Sequence, residues 1–134
     1  MFLAPARAFA SALDRDDFAT ARPFLSSRCV YEVRGSVLEG PDAILASYEN
    51  ATRDARAQFD EVFYESEVEA TATGARIHYT DIVRRNGREH RHRCVQHLTF
   101  AADEKITRIV HEDLPGEREA VRAFLADCGE AAHQ

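Results

Sequence analysis

The sequence predicts a single α+β domain over residues 1–134, with one curved antiparallel sheet and helices on one of its sides. Three observations lead to this fold class. Apolar residues recur mostly at helical spacing before Asp60, whereas residues 62–113 alternate between apolar and polar at the spacing of strands. Asn86–Gly87 lies between two alternating runs, which is typical of a two-residue hairpin turn. A last helical pattern follows Pro115.

Three helices and one strand are predicted in the first half of the chain. The first helix carries an apolar stripe formed by Phe2, Ala6, Phe9, Ala10 and Leu13. Asp16 or Asp17 then caps a short second helix, which Pro23 limits in length. Arg28–Val33 has the composition of a strand. Pro41 begins the longest predicted helix, because proline suits a first helical turn, and this helix carries its own apolar stripe.

The last strand and the last helix also follow from local patterns. Lys105–Asp113 is predicted to be a strand with a bulge, because Ile106 and Ile109 are three residues apart and both have the character of core residues. Glu117–Asp127 is predicted to be a short final helix that ends near Gly129.

The Asn86–Gly87 turn predicts which side chains face inward. A two-residue turn makes Arg85 and Arg88 partners, and the pairs that follow on one face are Val83 with His90, Asp81 with His92, Tyr79 with Cys94, and Ile77 with Gln96. The opposite face is far more charged, so we expect it to be the outer one. A carboxylate oxygen of Asp81 is then expected about 2.6–3.2 Å from an imidazole nitrogen of His92, or joined to it through one water.

Three segments of the chain resemble the nuclear transport factor 2-like superfamily, especially its SnoaL-like and ketosteroid isomerase-like branch. They are ALDRDDFATARPFLSSRCVYEVRG (12–35), GPDAILASY (40–48) and HLTFAADEKITRIVHED (97–113). The resemblance implies a cone-shaped, cystatin-like fold, in which a strongly curved antiparallel sheet wraps around a long helix and encloses a ligand pocket. The short C-terminal helix is an addition to this cone. Members include isomerases, cyclases, dehydratases, epoxide hydrolases and binding modules, so the fold alone does not give the function.

The resemblance also implies roles for single residues. Glu32 falls where the isomerase branch has its carboxylate base, and Gln96 falls where that branch has an acid that donates to an oxyanion. Phe9 falls near the position of an oxyanion-binding tyrosine. Because phenylalanine has no hydroxyl and an amide is a weaker donor than a neutral acid, steroid isomerisation is not expected of this chain.

The inward-facing polar residues together predict a pocket suited to acid–base chemistry. Asp81 and His92 are the expected proton-handling pair, and Asp113 or Glu32 is the expected second carboxylate. The residues expected to contact the ligand are Tyr48, Tyr79, Cys94, Gln96 and His111. We therefore expect an enzyme that isomerises, dehydrates or hydrolyses a small, mostly apolar, oxygen-bearing molecule without a cofactor. A non-catalytic ligand-binding protein of the same fold is the alternative.

Two residue types in this pocket have a second interpretation. His90 and His92 are of the types that ligate metals, together with Asp81, Asp113 or His111. His90 lies near the hairpin tip, however, and no helical HExxH motif is present, so no metal is expected. Cys94 is either a nucleophile beside a histidine or a small buried apolar residue, and the residue types favour the second.

Composition and charge bear on partners and location. The formal net charge is −6 and the pI is about 5.5, so neither nucleic acid nor a membrane surface is an expected partner. A cluster of arginines (Arg84, Arg85, Arg88, Arg91 and Arg93) shares the outer face with Glu65, Glu67 and Glu69, which predicts a mixed-charge surface. We expect a homodimer through this outer face. Three widely spaced cysteines and the lack of a basic leader favour a cytoplasmic protein.

Overall fold

The computed structural model describes residues 2–133, with side chains up to Gly129, and confirms the α+β class with a curled sheet. The elements in chain order are α1 (Leu3–Asp14), α2 (Phe18–Ala21), a 3₁₀ turn (Arg22–Phe24), β1 (Leu25–Val33), β2 (Ser36–Glu39), α3 (Pro41–Gln58), β3 (Glu61–Ala70), β4 (Gly74–Arg85), β5 (Arg88–Phe100), β6 (Ile106–Asp113) and α4 (Glu117–His133). Among the helices of residues 2–133, none is both long and apolar enough to span a membrane.

The six strands form one sheet in the order β2-β1-β6-β5-β4-β3. The antiparallel pairing predicted for residues 62–113 is confirmed, because β3, β4, β5 and β6 pair in sequence. β1 joins β6 in parallel, and β2 pairs with β1 at the sheet edge. The sequence pattern does not predict β2. This strand has only four residues, and it follows a tight turn in which Arg34 and Gly35 both have positive φ.

The Asn86–Gly87 hairpin has the predicted register. Both turn residues have positive φ, 53° and 77°, as a type I′ turn requires. The register pairs Arg85 with Arg88 and places Asp81 opposite His92. The predicted bulge is also present where β6 pairs with β5, so that Ile106 and Ile109 are both fully buried.

The inner-face residues of neighbouring strands stand in rows across the sheet. The three rows that matter for the pocket are Tyr64–Asp81–His92, Ser66–Tyr79–Cys94–Asp113, and Val68–Ile77–Gln96–His111. Side chains in one row are neighbours across the strands, so each row brings together residues far apart in the sequence. Polar groups thus lie in all three rows, and in the third Gln96 and His111 stand beside the apolar Val68 and Ile77.

The hydrophobic core fills the space between this inner face and the first helices. Its largest fully buried side chains include Phe9 of α1, Ile44 of α3, Ile77 of β4 and Ile109 of β6. Removing such side chains from water is the main stabilising term for the fold. Because α1 packs on β3 and β4 while α3 packs on β1, the helices hold the two sides of the curled sheet together.

The last helix is longer than the sequence predicts. The expected end near Gly129 is wrong, since α4 continues through this glycine to His133. Glycine lowers helix stability without forbidding a helix, and tertiary contacts compensate here. The Cys128 side chain is fully buried, and its carbonyl accepts a hydrogen bond of 2.9 Å from the Asn86 amide. Phe124 stacks on His90, so α4 covers the hairpin end of the sheet.

Candidate active site

A cavity of about 320 Å³ lies between the inner face of the sheet and the helices. Its walls combine apolar and aromatic side chains with a few polar groups, which is typical of a small-molecule pocket. Seven of the predicted site residues line it: Tyr48, Tyr79, Asp81, His92, Cys94, Gln96 and His111. The structure therefore brings these side chains together, while their roles toward a ligand stay predictions.

Gln96 lies at the centre of a hydrogen-bond network and is only 3% exposed. Its amide oxygen accepts a bond of 2.6 Å from the Tyr48 hydroxyl, and its amide nitrogen donates to the Tyr31 hydroxyl at 3.0 Å and to His111 Nδ1 at 3.2 Å. Burial raises the pKa of Tyr31 to about 12 and raises the pKa of Tyr48 well above its usual value, so both phenols stay protonated. Partners on α3, β1 and β6 thus explain why this amide faces inward.

His111 connects this network to an ion pair at the edge of the cavity. Since the Gln96 amide nitrogen can only donate, Nδ1 of His111 accepts, and Nε2 donates to Asp113 Oδ1 at 2.9 Å. Arg34 donates two further bonds of 2.7 Å to the same carboxylate. Burial raises the pKa of Asp113, but the hydrogen bonds from Arg34 and His111 outweigh burial and bring it to about 2. Asp113 is therefore a fixed anion that orients its neighbours, which does not suit the predicted role of a second proton-transferring carboxylate.

Asp81 lies in a different environment from Asp113. Burial raises its pKa to about 7, and the nearby carboxylate of Asp14 contributes to the rise. Asp14 is the last residue of α1 and accepts a 2.6 Å hydrogen bond from Ser66. Burial raises the pKa of Asp14 too, and the Ser66 bond lowers it in part. Three carboxyl groups therefore line the cavity: Asp16, which is paired with Arg56, Asp14, and Asp81, which is close to half-protonated at neutral pH.

The direct form of the predicted contact between Asp81 and His92 is wrong, and the form through one water stays a prediction. The two residues are cross-strand partners and both line the cavity, as predicted. Within the described residues, however, no hydrogen bond joins their side chains, and His92 Nδ1 lies 3.9 Å from a carboxylate oxygen of Glu117. This distance is too long for a hydrogen bond. Register fixes the face of each residue but not its partners. Glu117 at the start of α4 accepts a bond of 3.3 Å from the Arg93 amide, which brings its carboxylate near His92.

The predicted position of Glu32 in the pocket is also wrong. Successive side chains of a strand point to opposite faces, and in β1 the inner positions belong to Cys29 and Tyr31, both buried. Glu32 therefore points outward, where it forms an ion pair with Arg108 of the neighbouring β6. Tyr31 stands in the cavity where the family resemblance implies a carboxylate.

Several buried polar atoms around the cavity have no hydrogen-bond partner among the described residues. Three of them belong to cavity-lining side chains: Asp14 Oδ1, Tyr79 Oη and His92 Nδ1. Burial raises the pKa of Tyr79 well above its usual value, so its hydroxyl keeps its proton. Buried polar groups without a partner are uncommon in stable proteins, so water or a ligand is expected at these atoms.

The structure supports the expected interpretation of Cys94 as an unreactive thiol. Burial raises its pKa to about 12, with further contributions from Asp81 and Asp113, so it is not a thiolate nucleophile. His90 packs on Phe124 of α4 and does not line the cavity. Within residues 2–133, no group of three or more His, Cys, Asp or Glu side chains has the spacing to hold a metal ion.

The outer face of the sheet carries ion pairs of mixed charge, as predicted. Arg84 bonds to Glu61 and Glu89, and Arg76 bonds to Glu69. Most of its arginines thus lie beside carboxylates, and Arg84 also lies over the ring of the exposed Phe63.

Sequence reasoning missed three residues of the site: Asp14, Tyr31 and Arg34. Strand alternation offers a signal for Tyr31, because Cys29, Tyr31 and Val33 form a more apolar face than the alternate residues, which include Arg28 and Glu32. Asp14 has a weaker signal, since a negative charge is unfavourable at the C-terminal end of a helix. Arg34 reaches Asp113 from a turn with positive φ, for which the sequence offers no signal.

The chain is similar to known proteins in both sequence and fold. The sequence model described as a SnoaL-like domain matches residues 6–109. No curated protein matches the chain. Among the solved structures that share its fold is a protein from Kribbella flavida DSM 17836, with 21% sequence identity, coverage of 93% of this chain and 96% of that chain, and a TM-score of 0.67. A putative polyketide cyclase from Xanthomonas campestris has 17% identity, coverage of 89% of this chain and 94% of that chain, and a TM-score of 0.66. SalBIII, an epoxide hydrolase/cyclase-like enzyme of pyran ring formation in salinomycin, has 15% identity, coverage of 85% of this chain and 91% of that chain, and a TM-score of 0.66.

Two tyrosines of the cavity should respond differently to loss of the hydroxyl. Tyr48→Phe removes the partner of a buried amide oxygen, so we expect the free energy of unfolding to fall by about 1–2 kcal/mol. Tyr79→Phe removes a buried hydroxyl without a partner among the described residues, so we expect a change within about 0.5 kcal/mol or a small gain. Urea denaturation of the two matched variants measures both values, and equal losses would contradict the hydrogen-bond assignment.

The carboxyl groups of Asp81 and Asp113 should make the free energy of unfolding depend on pH in opposite directions. The pKa of Asp81 is higher in the folded state than in the unfolded state. Its contribution to the free energy of unfolding is therefore fully present below about pH 4 and is lost as pH rises through about 7. The pKa of Asp113 is lower in the folded state than in the unfolded state. Its contribution to the free energy of unfolding is therefore present above about pH 4 and is lost as pH falls toward 2. We expect Asp81→Asn to raise the unfolding free energy at pH 8, by an upper limit of about 4 kcal/mol, and Asp113→Asn to lower it. Denaturant titrations at several pH values test both signs, and a loss of stability at pH 8 in Asp81→Asn would contradict the first.

Proposed function

Because the chain belongs to the SnoaL-like domain family, whose sequence model matches residues 6–109, we propose that it is an enzyme acting on a small molecule in its cavity. The reaction class is proton transfer without a cofactor: isomerisation, dehydration, hydrolysis or ring closure of a small, mostly apolar, oxygen-bearing substrate. One observation carries the proposal. Asp81 is a carboxyl group with a pKa of about 7 on the wall of an otherwise largely apolar cavity.

A carboxyl group with this pKa suits both directions of proton transfer. General acid–base catalysis is most efficient when the pKa lies near the working pH, because both protonation states are then available. An ordinary aspartate is too weak a base at neutral pH, whereas Asp81 in its ionised form is a stronger base because burial and Asp14 oppose its charge. We assign to Asp81 the abstraction of a proton from the substrate.

The other polar groups of the cavity supply orientation and charge stabilisation in this proposal. The Tyr79 hydroxyl is protonated and has no partner among the described residues, so it is free to donate to a substrate oxygen on which negative charge develops. His92 is the cross-strand neighbour of Asp81, and its Nδ1 is also unpartnered within that part of the chain. Gln96, in contrast, is already bonded to Tyr48, Tyr31 and His111, so its role is to hold the wall in place.

The similar solved structures support the same reaction classes for this chain. The Xanthomonas campestris protein is described as a putative polyketide cyclase, and SalBIII as an epoxide hydrolase/cyclase-like enzyme. Ring closure and epoxide opening both require little more than positioned acids and bases in a cavity that excludes water. The main alternative function is a binding protein of the same fold, which the satisfied network around Gln96 would serve equally well.

The assembly and the location of the protein belong to the same proposal. We infer a homodimer through the outer sheet face, supported by Phe63 of β3, whose side chain is 48% exposed on this face; the molar mass in solution tests it. A cytoplasmic location is supported by Cys29, Cys94 and Cys128, which are all free thiols.

Turnover should depend on Asp81, and binding should not. A panel of apolar lactones, epoxides and ketones is first screened for a rise in the denaturation midpoint, because a ligand of the native state stabilises it. With the best hit, Asp81→Asn should lower kcat by about 10²–10⁴-fold and leave the dissociation constant within about threefold. In the unmodified protein, kcat should rise with pH through about 7, the pKa of Asp81.

Asp54→Asn is the matched control for this test. It makes the same chemical change at an exposed position of α3, so turnover should be unaffected. Binding of hits without turnover in the unmodified protein would favour the alternative, a binding protein. Full turnover in Asp81→Asn would contradict the proposed mechanism.

A further inference from the structure

One end of the cavity, which we name the acidic end, is formed by Asp14, Tyr79 and Asp81. Asp14 Oδ1 and the Tyr79 hydroxyl are buried and have no hydrogen-bond partner among the described residues. The other oxygen of Asp14 is held by Ser66 at 2.6 Å, so the free oxygen has a defined position. Because Ser66 and Tyr79 are cross-strand partners and Asp81 is two residues from Tyr79 on the same face, the three groups are neighbours.

Among the described residues, no cation forms an ion pair or hydrogen bond with Asp14 or Asp81, the two carboxyl groups of the acidic end. The charge of Arg15 lowers the pKa of Asp14, but Arg15 is bonded to Ser11 and lies 4.0 Å from Asp17. Arg34 donates two bonds to Asp113, and Arg56 is 2.6 Å from Asp16. The causes that shift the pKa of Asp81 are burial and the charge of Asp14, and no cation opposes them. Two neighbouring carboxyl groups without an ion-pair partner disfavour each other's charge, and a positive group brought by a ligand would relieve this.

We propose that the cavity binds a small cationic amine, whose ammonium group lies at the acidic end. An ammonium group has only donors, which match the free oxygen of Asp14, the carboxylate of Asp81 and the acceptor lone pairs of the Tyr79 hydroxyl. The aromatic side chains that line the rest of the cavity, Phe18, Tyr31, Tyr48 and Tyr64, offer contact area to an apolar body.

Other ligand charges fit the acidic end less well. A carboxylate ligand would face Asp14 and Asp81, and a neutral alcohol would satisfy only one of the free acceptors. A hard divalent cation takes six or more oxygen ligands, whereas the described residues contain no group of three or more acidic or metal-ligating side chains with suitable spacing. A monovalent organic cation is therefore the class that the geometry favours.

The proposal deepens the proposed function by naming the substrate class, since it places the ligand in the same cavity. Asp14 would anchor the ammonium group, and Asp81 would remain the group that transfers a proton at a neighbouring atom. Binding a cation favours the ionised form of Asp81, so an amine should release protons from the protein on binding near pH 7. The titratable or charged groups that face the acidic end from other elements are Arg15, Tyr48, Tyr64, Glu65, His92 and Cys94.

Three probes of matched size and different charge test the inference: benzylamine, benzyl alcohol and benzoate. Isothermal titration of the unmodified protein at neutral pH should give a dissociation constant for benzylamine about tenfold or more below that for benzyl alcohol, and no binding of benzoate. In two buffers of different ionisation enthalpy, benzylamine should release protons and benzyl alcohol should not. Benzylamine affinity no higher than that of benzyl alcohol, including no measurable binding of benzylamine at millimolar concentration, would overturn the inference.

Variants locate the charge that the probes detect. Asp14→Asn should weaken benzylamine about tenfold and leave benzyl alcohol within about twofold, whereas Asp54→Asn, the same change at an exposed position, should leave both unchanged. An unchanged benzylamine affinity in a folded Asp14→Asn protein would overturn the inference. If that variant does not fold, proton release from the unmodified protein decides the question.

The two proposals fail in different experiments. Equal affinity for amine and alcohol overturns the amine inference and leaves the catalytic role of Asp81 to the turnover measurement. Full turnover in Asp81→Asn overturns the catalytic role and leaves the preference for a cation intact.

Discussion

The two-residue turn at Asn86–Gly87 is the constraint on which the site depends. Its two positive φ angles bring β5 back along β4 in one register, and this register decides which side chains share a row. A slip of one residue would move Asp81, Tyr79 and Ile77 to the outer face and turn their charged neighbours inward. The polar wall of the cavity and the apolar core are thus consequences of a single local geometry, to which the side chain of Asn86 adds a bond to the carbonyl of Cys128 in α4.

The cavity divides into a satisfied part and an unsatisfied part, and the two have different physical meanings. Around Gln96, both ends of the amide are bonded, and a fully connected buried network rigidifies the structure around it. Around Asp81 and Tyr79, the chain leaves buried polar atoms without partners in its described part, which costs stability. Proteins commonly tolerate such a cost where the unpaired groups act on another molecule. Rigid support beside an unsatisfied group is the arrangement that a preorganised site requires.

Most of the fold could be predicted from the sequence because its signals are local. The change from helical to strand spacing, the Asn-Gly turn and the bulge at Ile106 and Ile109 are each visible within a few residues. The face of Asp81 and His92 was predictable for the same reason, whereas the proximity of Glu117 of α4 to His92 was not, because no local pattern places Glu117 there. Glu32 was assigned through family resemblance instead of strand alternation, and alternation places it on the outer face. The proximity of Asp14 to Asp81 joins α1 to β4, and only the packed structure contains that information.

The parallel pairing of β1 with β6 has a consequence for the order in which the molecule assembles. It joins Tyr31 to Ile109, 78 positions apart in the sequence, whereas the β4–β5 hairpin closes over two residues. Closing a long segment has a larger entropic cost, so contacts of this kind slow folding and tend to form after local ones. Tyr31 and Arg34 reach the cavity only through β1, so a chain with just the β3–β6 meander would have a sheet but an incomplete pocket. A ligand of the complete cavity should therefore act mainly by slowing unfolding, with little effect on the rate of folding.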